Sequence, residues 1–155
     1  MTTNAKSNHA EDLVLNALLR NTTGSLPSAV YLGLHTAIPL EDNTTMQGAG
    51  ADNEVDLSTL GATGSTTRPT VAFDAPTAVT DGPAGGRSCF NNAAIELTAD
   101  TGGAGFGTVT HFALYDNATV GSGNLIYYGE LDVSKTIAAG DTIRFAANSI
   151  EVTEL

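Results

Sequence analysis

The sequence has few cysteines and basic residues and no tryptophan, and these shortages exclude several classes of protein. It has 155 residues, and Cys89 is the only cysteine, which rules out an internal disulfide and a zinc site built from several cysteines. The chain has 6 Lys and Arg against 17 Asp and Glu, a net charge of −11. Because nucleic-acid binding normally needs clustered cations that neutralise phosphates, no DNA or RNA partner is expected. The same charge disfavours anionic membranes and attracts partners with a basic surface.

Long apolar segments are also missing. No apolar run approaches the roughly 20 residues that a membrane-spanning helix needs. The N-terminal MTTNAKSNHAEDLVLN lacks the basic start and unbroken apolar stretch of a signal peptide, so we expect the protein to be made and folded in a cytoplasm. Hydrophobic residues make up 41% of the chain and charged residues 15%. This composition predicts a folded chain, and its length predicts one domain over residues 1–155.

The N-terminal segment, residues 1–24, contains the one clear helical pattern, at residues 9–20. Its apolar positions recur at helical spacing and form one stripe, made of Ala10, Leu13, Val14, Ala17 and Leu18. Asn8 is the candidate N-cap, with Glu11 three residues later. We expect the stripe to cover a sheet face. Docking of the helix onto a neighbouring subunit remains the alternative.

The remainder alternates short apolar–polar segments with turn residues, which is typical of β-strands. The predicted strands are 29–36, 69–74, 87–98, 107–116, 125–137, 142–147 and 149–155. Within 87–98 the apolar phase shifts between Phe90 and Ile95, which predicts a bulge. No strand–helix–strand rhythm is present. The pattern therefore predicts a mainly β protein, an antiparallel β-sandwich of about seven strands with one N-terminal helix.

A long loop is predicted between the first two strands. Residues 39–68 are rich in Gly, Thr, Asp and Asn and show little periodicity. A structureless loop of this length is uncommon inside a compact domain. Two alternatives remain open: the loop is mobile, or it is ordered by contact with something else.

The segment GTVTHFALYD, residues 107–116, raises the question of catalysis because His111 lies at its middle and Asp116 at its end. With Cys89 these residues have the types of a nucleophile, a base and an orienting acid. Asp116 is five residues beyond His111, however, so the two side chains point to opposite faces of an extended strand. We expect Cys89 to be a buried, inert thiol and predict no catalytic residue.

The alternation of the same segment predicts which side chains enter the core. Phe112 and Leu114 share the face that should be buried, whereas Val109, His111 and Tyr115 share the opposite face. We interpret His111 as a structural or interface residue.

No metal or cofactor site is predicted. The three histidines, His9, His35 and His111, form no H-x-H, H-x-x-x-H or HExxH pair, and His35 can approach His111 only if their strands pair. The glycine-rich stretches 84–88 and 101–107 precede strands, whereas phosphate loops precede a helix.

Several segments together resemble a family of small tailed-bacteriophage virion proteins. They are RPTVAF (68–73), GRSCFNNAAIELT, GTVTHFALYD and GNLIYYGELDVSKTIAAGDTIRFAANSIEVT. The resemblance covers most of the chain, is strongest at 87–152 and is weakest at 39–67. Members are commonly labelled tail-fibre-like, and comparable small β-domains act as capsid cement proteins. The resemblance implies a location in the virion and implies neither catalytic residues nor a cofactor.

These observations lead to the hypothesis of a non-enzymatic structural protein. A fibre shaft needs length from repeats or a coiled coil, and this chain has neither, so we expect a capsid cement or decoration protein. Such a protein would stabilise the lattice of the major capsid protein at the capsid surface, and it would be a homo-oligomer, expected to be a trimer. Residues 1–12 and 39–68 are the candidates for reaching neighbouring subunits.

Two alternatives remain. The first is a tail, baseplate or fibre-associated structural protein that contacts the host receptor. The second is a carbohydrate-binding module or hydrolase on a β-sandwich, in which Tyr115, Tyr127 or Tyr128 would contact glycans.

Overall fold

The computed structural model describes residues 3–22, 24, 26–40, 53–57, 67–79 and 85–154. Within these residues the chain forms one helix, α1 (Asn8–Leu19), and ten strands. The strands are β1 (Thr3–Lys6), β2 (Val30–His35), β3 (Thr70–Val71), β4 (Thr77–Val79), β5 (Gly86–Phe90), β6 (Ile95–Thr98), β7 (Gly107–Tyr115), β8 (Leu125–Ile137), β9 (Thr142–Phe145) and β10 (Glu151–Glu154).

The strands form three antiparallel sheets. The largest has five strands in the order β1-β8-β7-β2-β3, the second has the order β10-β5-β4, and the third pairs β6 with β9. All three sheets contribute to one hydrophobic cluster, whose members include Leu32, Phe112, Leu114, Ile95, Ile143, Phe145 and Val152. Full burial of one such side chain contributes about 1.5–3 kcal/mol, so this shared core holds the sheets together. The predicted mainly β, antiparallel fold is confirmed.

Strand β7 confirms part of the predicted burial pattern. Phe112 and Leu114 lie in the main core, as their alternation predicted. Val109 was predicted on the face of His111, and this was wrong because Val109 is fully buried in the same core as Phe112. The pairing of β7 with β8 shifts register between Val109 and His111. A bulge of this kind reverses the alternation at that point.

The single strand predicted over 87–98 is in fact two strands in different sheets, β5 and β6. The chain passes between them at Asn91, whose side chain is fully buried. Its amide nitrogen donates to the carbonyls of Ala93 and Ala146, and its amide oxygen accepts from the backbone of Ser149 and Ile150. All four bonds that a side-chain amide can make are therefore present. The phase shift in the sequence marks a change of sheet rather than a bulge.

Two short strands were not expected. β1 pairs with β8 at one edge of the five-stranded sheet, and β4 lies between the predicted strands 69–74 and 87–98 and pairs with β5. Both are short: β1 pairs with a strand that is distant in sequence, and β4 pairs with β5, the next strand along the chain.

Part of the predicted loop, residues 53–57, packs into the domain itself. The Val55 backbone nitrogen donates to the Leu34 carbonyl at 2.8 Å, and Thr36 donates to the Asn53 carbonyl at 3.0 Å. Val55 and Leu57 are members of the main core. The contact that orders this part of the loop is thus the domain's own core. Residues 41–52 and 58–66 lie outside the described residues.

Candidate functional site

The helix α1 is fixed to the sheet at its first turn. Ser7 is the N-cap, one residue before the predicted Asn8, and its hydroxyl accepts from the Ala10 backbone nitrogen at 3.2 Å. The same hydroxyl donates to the Leu125 carbonyl, and the Ser7 backbone nitrogen donates to the Ile126 carbonyl at 3.0 Å. Ser7 is fully buried. The start of α1 is therefore held against the start of β8.

The rest of α1 leaves its apolar side chains in solvent. Ala10 is its only buried residue among those described, although the predicted stripe was expected to cover a sheet face. Leu18 and Leu19 are 77% and 78% exposed, and Val14 and Leu15 are exposed as well. Contiguous exposed apolar side chains of this kind mark interaction surfaces. Among the described residues α1 therefore does not cover a sheet face as expected, and its docking onto a neighbouring subunit stays a prediction.

Two carboxylates share this apolar face. Glu11 precedes Leu15 by four residues and Leu18 by seven, and Asp12 precedes Leu15 by three and Leu19 by seven. Both acids are exposed. We define the α1 face as Glu11, Asp12, Val14, Leu15, Leu18 and Leu19. This surface has the chemistry to enter an apolar groove that also carries cations.

A buried ion pair between Arg68 and Glu54 connects residues 53–57 to the loop between β7 and β8. Arg68 Nε donates to Glu54 Oε1 at 2.6 Å, and Arg68 Nη2 donates to Glu54 Oε2 at 2.8 Å. Arg68 Nη1 also donates to the carbonyls of Asn117 and Ser122, at 2.7 and 2.8 Å. The Gly121 backbone nitrogen donates to Glu54 Oε2 at 3.0 Å. These bonds join three segments that are distant in sequence.

Aromatic rings extend this cluster into the five-stranded sheet. The guanidinium carbon of Arg68 lies 3.6 Å from the centre of the Tyr115 ring, and the Tyr115 hydroxyl lies 2.9 Å from His35 Nε2. His35 is fully buried and pairs in register with His111 on β7, so the two histidines are neighbours. The Nδ1 atom of His111 lies 2.8 Å from the Thr110 hydroxyl. These contacts connect β2 and β7 to the ion pair of Arg68 and Glu54.

The residues considered for a thiol triad have different partners. Cys89 lies in β5 of the three-stranded sheet and His111 in β7 of the five-stranded sheet. Both carboxylate oxygens of Asp116 accept from Asn124, one from its backbone and one from its side chain. Burial, and then the charges of Glu151 and Glu154, raise the pKa of the Cys89 thiol. The thiolate that a nucleophile requires is therefore disfavoured.

A polar clasp joins the edges of two sheets. Lys6 on β1 and Tyr127 on β8 both bond to Glu154 on β10, the lysine at 2.6 Å. Burial, and then the hydrogen bond to Glu154, raise the pKa of Tyr127. Burial opposes ionisation of Glu154, but the bonds from Lys6 and Tyr127 outweigh it and lower the pKa of that carboxyl. The Glu154 carboxylate is therefore ionised at neutral pH, and it connects β10 to β1 and β8.

The tyrosines named for glycan contact are not available as an exposed platform. Tyr115 and Tyr128 are buried, and Tyr127 is half-buried with its hydroxyl bonded to Glu154. Stacking against a sugar needs an accessible ring face. This arrangement does not favour the carbohydrate-binding alternative.

Neither a metal cluster nor a spanning helix occurs in the part of the chain that the structure describes. No three His, Cys, Asp or Glu side chains among those residues come together in a way that could hold a metal ion. No helix there combines the length and apolarity needed to cross a membrane.

Comparison with known families assigns the chain. A family model described as "Podophage GP4 fiber I protein gp80" matches residues 5–153, which is nearly the whole sequence and includes all the sheets and α1. The chain belongs to this family. Membership in the fibre I family confirms the resemblance to tail-fibre-like phage virion proteins. It also establishes a structural role in the virion. No curated protein matches the sequence.

Proposed function

We propose that this protein is a fibre-associated structural component of a tailed-phage virion. The observation that carries the proposal is the match to the fibre I protein family over residues 5–153. The compact shape of the described chain supports a particular position within a fibre. Its longest strand, β8, has 13 residues, and the sheets close on one shared core. The protein is thus a globular module at an end or junction of the fibre, whereas a shaft would need repeats.

The module acts by binding, without catalysis. Its most exposed large apolar side chains, Leu18 and Leu19, are on α1, whose start is hydrogen-bonded to β8. Burial of such side chains in a partner contributes about 25 cal/mol per Å² of apolar surface. The raised pKa of Cys89 and the hydrogen bonds that occupy Asp116 support the non-enzymatic assignment.

A capsid cement protein is the second candidate. A compact sandwich with an exposed helix also suits a protein that bridges subunits of the major capsid protein, and a trimer at three-fold positions belongs to that candidate. The fibre family favours the tail. The two candidates differ in copy number, because a capsid lattice takes hundreds of copies and a set of fibres takes few.

The test is quantitative mass spectrometry on heads and tails separated from purified virions. The fibre proposal predicts that the chain remains with the tails, in a ratio to the major tail proteins that matches the number of fibres. Hundreds of copies on separated heads would instead support the cement candidate and refute the fibre location.

A further inference from the structure

A second candidate surface lies between β8 and β9, where the exposed Val133 stands beside apolar side chains that are themselves buried in the core. These strands follow one another through the turn at residues 138–141, yet within the described residues they do not pair with each other: β8 pairs with β7 and β1, and β9 pairs with β6. A groove of about 600 Å³ opens between the second half of β8 and β9. We call it the β8–β9 groove.

The groove is apolar and has cations at its rim. Its apolar lining comprises Leu131, Val133, Ile137, Ile143, Phe145 and Ala146. Val133 is 66% exposed. Lys135 and Arg144, two of the 6 basic residues in the chain, also line it, together with one acid, Asp132. Arg144 bonds to Glu96 at the surface, at 2.8 Å.

The α1 face and the groove complement one another. The face offers three leucines at helical spacing next to two carboxylates, and the groove offers apolar walls next to two cations. Amphipathic helices bind grooves through side chains at this i, i+3, i+4 spacing. We propose that α1 of one copy of this protein docks into the β8–β9 groove of a second copy. Opposite charges then meet at the rim of the contact.

The proposed contact is made between two molecules. Ser7, at the start of α1, bonds to Leu125 and Ile126 at the beginning of β8, whereas the groove lies along the end of the same strand. The apolar side chains of the α1 face are exposed in the structure, so α1 does not occupy the groove of its own chain. We therefore take the occupant to be α1 of a second copy.

This contact joins unlike surfaces, so a bound pair still offers one free α1 face on one copy and one free groove on the other. Such a head-to-tail interface closes into a ring or continues as a filament. The proposed contact names a partner for the α1 face, the surface that the proposed function uses for binding. It rests on the proposed function only in assigning this self-association to a fibre. The test uses purified protein, so its outcome is independent of the virion location. Self-association can be absent in a fibre protein, and it can be present in a protein that is not located at the fibres.

The experiment is sedimentation velocity on the full chain over a range of concentrations. Wild-type protein should associate beyond a dimer as its concentration rises. A helix variant, Leu15→Ser/Leu18→Ser/Leu19→Ser, and a groove variant, Val133→Glu/Lys135→Glu, should each associate at least about tenfold more weakly. Ile38→Ser changes an exposed apolar residue outside both surfaces and should behave as wild type. Circular dichroism checks that each variant is folded.

Mixing the two variants decides between kinds of contact. Each variant alone should be monomeric, but together they retain one intact α1 face and one intact groove and should form a 1:1 complex that grows no further. A charge version, Glu11→Lys/Asp12→Lys mixed with Lys135→Glu, should recover part of the association that each lacks, and it provides the same test if the leucine variant fails to fold. Monomeric wild type at about 1 mM, or mixtures that do not form the complex, would overturn the proposal.

Discussion

Replacing Arg68 by methionine is expected to destabilise the fold strongly. Arg68 is 2% exposed, and its guanidinium group donates two hydrogen bonds to Glu54, which is itself buried. It also donates to the carbonyls of Asn117 and Ser122. Arg68→Met removes the cation and leaves a buried carboxylate that still accepts a hydrogen bond from the Gly121 backbone nitrogen.

The magnitude follows from the burial of both partners. Removing one member of a buried ion pair costs about 3–5 kcal/mol, because the other charge stays in a low-dielectric environment. That is a large share of the about 5–15 kcal/mol that stabilises a typical domain. For a chain of this size the corresponding decrease in Tm is roughly 6–20 °C.

Urea denaturation followed by circular dichroism, together with calorimetry, measures this loss. Arg144→Met is the matched control, because its bond to Glu96 is exposed and should contribute less than about 1 kcal/mol. The double variant Glu54→Gln/Arg68→Met should lose less than the sum of the single variants, since it removes the stranded charge. An Arg68→Met protein within about 1 kcal/mol of wild type would refute the assignment of this pair as the anchor of residues 53–57.

Three further predictions concern the clasp, a turn and the thiol. The folded-state pKa of Glu154 is lowered, so the stability that this carboxylate adds is present above its ordinary pKa of about 4.3 and is lost as the pH falls through the folded value. Lys6→Met removes one cause of the lowered pKa and should therefore reduce this loss of stability in acid, measured by denaturation from pH 7 to pH 2. Gly105→Ala should destabilise the protein by more than Gly85→Ala in the same assay, since both have positive φ but only at Gly105 would a Cβ approach backbone, 2.7 Å from the Ala138 carbonyl carbon; equal losses would contradict this. Cys89 should react with iodoacetamide more slowly than a model thiol at pH 8, because its pKa is raised, and an equal rate would count against its burial.

The regular strands could be predicted from the sequence. The segment 125–137 was expected as a long strand and is β8 with the same bounds, and 29–36 contains β2. The helix was expected at 9–20 and occupies Asn8–Leu19. In these segments the alternation or helical spacing is continuous and the flanking residues favour turns, so local preference and tertiary structure agree.

The change of sheet at Asn91 could not be read from the sequence. A bulge and a crossing between sheets both shift the apolar phase, so periodicity alone does not separate them. What distinguishes them is the set of bonds from the buried Asn91 side chain to residues 146, 149 and 150. These contacts are made across more than fifty positions of sequence, and no local pattern reports them.

The candidate interaction surface was predicted only in part. Helical spacing identified the apolar stripe, but it does not show whether a sheet or solvent covers the stripe. Leu15 and Leu19 lie off the stripe, so most residues of the helix are apolar. An apolar surface wider than one stripe indicates that a second face of the helix binds a partner. The buried ion pair of Glu54 and Arg68 could not be predicted from the sequence, because charged residues in a polar loop are normally solvated.

The location of the chain in the virion tests the central claim most directly. Electron cryo-tomography of phage that carries a small density tag at the C-terminus of this chain would show it. The account predicts tag density at the fibres and none in a regular array over the capsid. Tag density repeated across the capsid lattice, with untagged fibres, would contradict the assignment as a fibre-associated structural protein.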